Sequence, residues 1–281
     1  MLTLAEGFYS LLILDIIAGF CMGIYPASLI AFVHESKRDL SRFSSFGALG
    51  WTFGVLTAGS IAIYFGVTGI FTFGALLLLF SFLTVTSMNF PKHHAIDVPR
   101  FPFQVIRKNI FLYLAILIRH IGATMIWTFW PLFLQTLGAN LFWIGIVQTI
   151  NGLSQFMFMI TLGARIKYVS SVMVGLLLSS ITFFSFALAT DFWQILPTQV
   201  LLGISWALMY VGALRYLTER NVEKATASGL LDSVLSLSAV VGPLVAAFGI
   251  ALGDYRTIIY FGSGLAFLSF LLFRLCAHPI S

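Results

Sequence analysis

Long apolar runs separated by brief polar breaks make up almost the whole chain. A helix that crosses a bilayer needs about 20 mostly apolar residues, and about nine runs reach that length. They lie at roughly 7–33, 43–64, 68–90, 109–135, 139–163, 168–189, 192–217, 225–252 and 255–275. Short connections predict antiparallel neighbours. One break is long: the run from Pro91 to Asn109, PKHHAIDVPRFPFQVIRKN. Proline lacks a backbone donor and fixes φ, so Pro99 and Pro102 disfavour a continuous helix there. This stretch reads as a linker between two unequal helical bundles, with 90 residues before it and 172 after. The predicted units are a three-helix partial bundle over 1–90, a linker over 91–108 and a six-helix bundle over 109–281.

Composition makes the solvent explicit. The chain is 59% hydrophobic and 9% charged, with a mean hydropathy of +1.00. Soluble domains are about 25% charged, so this surface is built for lipid. The fold class that follows is an all-α polytopic membrane protein. The net charge of +5 then reports topology before it reports nucleic acid, and no nucleic-acid partner is expected. Lys37, Arg38 and Arg42 follow the first run, and Lys92, Arg100, Arg107 and Lys108 mark the linker. Arg165 and Lys167 follow the fifth run, Arg215, Arg220 and Lys224 the seventh, and Arg274 closes the ninth. The alternate connections hold Arg256 as their basic residue and Asp191 as an acidic one. Basic residues favour the cytoplasmic side, which puts the C-terminus inside and the N-terminus outside a cell membrane. The first run lacks a basic leader and is too long for a signal core, so it reads as a retained helix. Cys21 and Cys276 are isolated, and His93–His94 lacks companions at ligand spacing, so neither a metal nor another cofactor is expected.

An internal echo supports a two-bundle plan. Gly19 to Glu35 (GFCMGIYPASLIAFVHE) and Gly203 to Glu219 (GISWALMYVGALRYLTE) are apolar helices opening on Gly and closing on Glu. Each is followed by a charged loop, a Gly- and Ser-containing helix, a brief turn and a Phe-rich helix. In the second bundle three helices, 109–189, precede this unit, whereas only a few residues precede it in the first.

With the run Glu35 to Arg42, the glycines Gly47, Gly50 and Gly54, the turn Gly66 to Gly69 and the linker, the pattern resembles the major facilitator superfamily. In the second bundle Leu137-Gly138-Ala139, Ile144-Gly145 and Gly242-Pro243 carry the likeness. Members of that family consist of two six-helix halves. The resemblance implies that this chain corresponds to helices four to twelve, with the first bundle incomplete. Two departures stand out. Gly163-Ala164-Arg165-Ile166-Lys167 keeps the family's basic loop residues without its Asp, and Thr52 to Gly54 lacks the proline of many exchangers.

Ionisable groups within apolar runs are costly and mark candidate sites. Asp15, Arg119 and Asp232 are the three here. Arg119 and Asp232 sit at similar depths, which predicts that they pair or share a polar cavity, as a static bridge or as a site for an anion or a proton. Polar or aromatic residues at helical spacing add Gln148, Asn151 and Gln155 on one helix and Gln199, Trp206 and Tyr210 on another. Trp130 lies on the face of Arg119, and Ser228, Asp232, Ser236 and Pro243 share a stripe. The amides read as ligand-orienting groups or as interhelical bonds. His120 is expected on a different face from Arg119. Asp15 shares a face with Gly19, Met22 and Pro26; it reaches water from the outer end or faces the centre, as the resemblance implies. Pro26 and Pro243 are expected at kinks, and Gly47, Gly50, Gly54 and Gly242 at close helix packing.

The leading functional expectation is a secondary transporter of a small solute, a symporter or antiporter with protons as the default driving ion. No nucleotide-binding loop occurs. The alternative is a fragment that needs preceding helices, a second copy or a partner chain. A membrane-embedded enzyme would need clustered acids and histidines, which the sequence scatters.

Overall fold

In the computed structural model, residues 7–87, 101–162 and 165–276 are described. His93–His94, most of the linker and Gly163-Ala164 lie outside them. Eight α-helices follow in order: α1 (Phe8–Glu35), α2 (Leu40–Thr86), α3 (Phe103–Thr136), α4 (Leu141–Leu162), α5 (Tyr168–Leu188), α6 (Ile195–Arg220), α7 (Lys224–Leu252) and α8 (Tyr255–Cys276). Among the described residues, seven segments are long and apolar enough to cross a membrane. These are Ile61–Thr86 and the six helices from α3 to α8.

At some helix starts short polar side chains satisfy the first free backbone donors. Asp39 Oδ1 accepts from Ser41 N at 2.9 Å ahead of α2, and Asn140 Oδ1 accepts from Trp143 N at 3.0 Å ahead of α4. Asp191 Oδ1 accepts from Trp193 N at 2.9 Å in the 3-10 turn Phe192–Gln194 that leads into α6. Pro197 falls in the first turn of α6, where a missing N–H breaks no helical bond. At the far end of α3, Gly138 takes φ 88°, and Ala139 N donates back to Leu134 O at 3.0 Å. This left-handed stop costs glycine little.

Two predicted boundaries are revised. The runs at 43–64 and 68–90 form one helix, α2, broken only at Gly66, with φ 67° and ψ −173°. The turn expected over Gly66 to Gly69 is therefore a single-residue kink. α3 begins at Phe103 rather than 109, because Pro102 stands just before the helix, where its ring is tolerated.

The second bundle supplies most of the packing. α5 packs along α6, α3 against α7 and α8, and α5 against α8. Leu112, Ile116, Leu176, Met209 and Leu214 form one core, and Trp130, Phe183, Phe186 and Ala266 another. Close approaches fall at glycines: a Cβ on Gly122 would lie 2.7 Å from Gly262 O, and one on Gly175 2.6 Å from Met209 N. In lipid, such contact and interhelical hydrogen bonds hold helices together. Asn109 Nδ2 donates to Asn221 Oδ1 at 3.1 Å at one end, and Phe192 N donates to Leu137 O at 3.2 Å at the other. α2 joins this bundle through α4, where Ser41 Oγ donates to Met159 O, while α1 packs on α7.

The glycine series Gly47, Gly50, Gly54 does not mark close packing. Among the described residues, a Cβ on any of the three would meet nothing within 4 Å, because this face of α2 is turned to open space rather than to another backbone. Gly242 stands in the opposite situation, with a Cβ reaching Ile121 O of α3 at 3.0 Å and running into Thr124 Oγ1. α7 runs on through Pro243.

Candidate functional site

A cavity of about 740 Å³ lies between α2 and the second bundle. Its wall takes Phe43, Ser44, Phe46, Gly47, Ala48 and Trp51 from α2, and Arg119, His120 and Trp127 from α3. α4 adds Gln148, Asn151, Gln155 and Met159, α6 adds Leu202, Trp206 and Tyr210, and α7 adds Leu235. This volume falls in the range of pockets that hold small organic molecules, about 300–1,000 Å³.

Arg119 is the charged group on this wall, and it is 2% exposed. Its Nε donates to Ser179 Oγ at 2.9 Å. Ser179 Oγ lies 2.6 Å from Ser205 Oγ, which donates to Gly175 O at 2.9 Å. This relay crosses from α3 through α5 to α6 and holds the guanidinium at one point. Nη1 lies 3.3 Å from His120 Nδ1. The Phe183 and Trp206 rings lie 5.3 and 5.4 Å from the guanidinium carbon, within cation–π range. A guanidinium has five N–H donors, so these two contacts leave most of the fork uncommitted. Among the described residues no carboxylate pairs with it.

The expected partnership with Asp232 is therefore corrected. Arg119 turns toward Ser179 on α5 and Trp206 on α6, whereas Asp232 is held on α7 and does not line the cavity. Among the described residues its buried Oδ2 has no hydrogen-bond partner, nor has the Ser228 hydroxyl one turn earlier. His120 is also placed differently from expectation. It lines the same cavity as Arg119, with its ring 5.3 Å from Trp206. Neighbouring residues on a helix diverge by about 100°, but both side chains are long enough to reach this opening.

The two amide series divide. Gln148, Asn151 and Gln155 all reach the cavity. Gln155 Nε2 donates to Asn151 Oδ1 at 2.6 Å, and Asn151 Nδ2 donates to Gln199 O at 3.5 Å. Gln148 makes no hydrogen bond among the described residues. Trp206 and Tyr210 line the wall as a stacked pair, with ring centroids 5.3 Å apart and planes 9° apart. Gln199 and Trp130 are fully buried away from it, and among the described residues the Gln199 amide and Trp130 Nε1 have no hydrogen-bond partner. Trp130 packs on Phe186 at 4.7 Å. Asp15 and Pro26 lie in α1, but their side chains are outside the described set.

Sequence reasoning missed Ser44, Phe43, Phe46, Trp51 and the Ser179–Ser205 relay. The α2 residues start a helix whose run reads as membrane-spanning, and the spacing of Ser41, Ser44 and Ser45 is the signal that could have found its polar face. Among the described residues there is no group of three or more His, Cys, Asp or Glu side chains that would hold a metal.

The family model described as Major Facilitator Superfamily matches residues 112–279, more than half of the chain. The matched stretch runs from the third turn of α3 past the end of α8. No curated protein matches the chain.

Proposed function

The chain belongs to the Major Facilitator Superfamily and is a multi-pass membrane transporter of that type, and from this premise we propose that it moves a small anionic solute by alternating access. The cavity between α2 and the second bundle is the binding site in this reading. One observation carries it: Arg119 is buried on the cavity wall, braced by Ser179 and flanked by Phe183 and Trp206, with no acidic partner among the described residues. A buried cation without a counter-ion is costly. A solute carboxylate or phosphate engaging the free fork offsets that cost, and the planar guanidinium suits two-point contact.

Protons are the proposed driving ion, with Asp232 the coupling group among the described side chains. Its Oδ2 is buried, and among the described residues no donor bonds to it. The basic connections set the proposed orientation, C-terminus inside.

The test is uptake of labelled organic anions by proteoliposomes, with and without an imposed pH gradient. Wild type is expected to concentrate anions only with the gradient. Arg119→Gln is expected to slow uptake by about tenfold or more, the cost of a charged hydrogen-bond set, and Arg119→Lys to recover part of it. Asp232→Asn is expected to keep downhill exchange and lose accumulation. Wild-type uptake by Arg119→Gln sinks the anion site, and gradient-driven uptake by Asp232→Asn sinks the coupling role.

A second reading rests on Ile61–Thr86, whose apolar window has no buried residue. In it, transport needs further polypeptide against α2, from a preceding segment or a second copy. Reconstituted chain that binds an anion but does not move it favours this reading.

A further inference from the structure

We infer that the ligand class of this cavity is an organic monoanion with a flat aromatic body, such as an arenecarboxylate, rather than an inorganic anion or a small aliphatic acid. The inference rests on the reading of Arg119 as an anion site and asks what else the same wall recognises.

Three features point the same way. First, the cavity has one cationic group: apart from Arg119, its lining is neutral if His120 is, and His120 Nδ1 faces an Arg119 N–H, a contact in which the ring nitrogen accepts. A small multivalent anion needs several donors converging in a tight shell. Here a single fork opens into about 740 Å³, which an acetate-sized ligand would leave largely unfilled. Unfilled apolar wall forfeits dispersion contact.

Second, the wall beside the guanidinium is aromatic. Trp206 lies against Arg119 and stacks on Tyr210, so the two rings form an aromatic column next to the charge. Trp51 faces the same space from α2, and Trp127 from α3. A flat ring attached to a carboxylate stacks on such a surface while its charge reaches the fork. A saturated or strongly hydrated body gains less there.

Third, the remaining polar groups on the wall are neutral. Among the described residues Gln148, the Tyr210 hydroxyl and the buried hydroxyl of Ser44 make no hydrogen bond, while Asn151 and Gln155 are engaged with each other. Those groups suit neutral substituents on the ring and offer no second charge.

The experiment uses the full chain in lipid nanodiscs, with intrinsic tryptophan fluorescence and thermal stabilisation as readouts. The probes are benzoate, benzyl alcohol, acetate and inorganic phosphate. Benzoate is expected to quench saturably and raise the melting temperature, with at least tenfold weaker effects from the other three. Trp206→Leu is expected to remove the preference for benzoate over acetate. Arg119→Lys is expected to narrow the gap between benzoate and benzyl alcohol while the protein stays folded by circular dichroism. Acetate or phosphate binding as well as benzoate overturns the inference, as does benzyl alcohol doing so, or no binding by benzoate. Arg119-dependent uptake of acetate or phosphate would leave the anion carrier standing and remove only the aromatic class. Benzoate binding without any transport would do the reverse.

Discussion

Asp254 stands between α7 and α8, and its Oδ1 accepts from the backbone N–H and the hydroxyl of Thr257 at 2.9 and 3.0 Å. These bonds, the backbone one first, hold its carboxyl below the usual carboxylate range. A carboxyl shifted down in the folded state adds stability above its unfolded range and loses it as pH falls through the folded value. Asp254→Asn is therefore expected to flatten the acid limb of the thermal stability profile in detergent, while Asp254→Ala lowers stability by about 1 kcal/mol at neutral pH, as loss of a helix cap does. A profile unchanged in Asp254→Asn removes the cap's titration from acid unfolding. Arg119 is a contrasting residue: its identity as a buried cation was legible, but its partners were not. Ser179 and Phe183 come from a helix about 60 residues away, and nothing in the spacing of α3 names them.

At the scale of elements, α2 shows how one residue shapes a long helix. Gly66 combines φ 67° with ψ −173°, a region that side-chain-bearing residues enter at a cost of about 1–3 kcal/mol. No atom of the described residues lies within 4 Å of a Cβ built there, so the penalty is backbone conformation. Gly66→Ala is expected to lower thermal stability by that amount or to straighten α2, which a spin-label distance across the kink would register as an increase. Gly152 tests the opposite mechanism. Its Cβ would run into Thr52 Oγ1 where α4 meets α2, so Gly152→Leu is expected to separate the two helices and widen the cavity, at about 1–3 kcal/mol. A paired Thr52→Ala change should return part of the loss. The series Gly47, Gly50, Gly54 looked like the stronger packing signal in sequence. Apart from Gly242, the glycines that touch other backbones, at 122, 175, 203, 212 and 262, form no series at three- or four-residue spacing, so no spacing motif draws attention to them.

For the whole molecule, the arrangement of basic residues makes orientation testable with native cysteines. Cys276 is the last residue of α8 and is partly exposed, and Cys21 lies in α1. In a Cys21→Ser variant, a membrane-impermeant maleimide is expected to label Cys276 in inside-out vesicles and not in intact cells. Labelling of intact cells would reverse the proposed topology. α-Helical, membrane-spanning character and the order of the segments could be read from the apolar runs, because hydrogen-bond satisfaction in lipid leaves a spanning apolar segment few alternatives to a helix. The chain pattern also pointed to the family that the match over residues 112–279 establishes. The cavity could not be read in this way. Its wall collects side chains from α2, α3, α4, α6 and α7, and periodicity reports which face of a helix is polar without saying which helix it meets. Depth along the bilayer normal placed Arg119 and Asp232 level with each other, yet depth is one coordinate of three. Their directions around the bundle, set by how α3, α5 and α7 pack, put Arg119 beside Ser179 and left the buried oxygen of Asp232 without a partner. Local apolarity thus determined which segments become helices, and lateral packing alone decided which polar groups face one another.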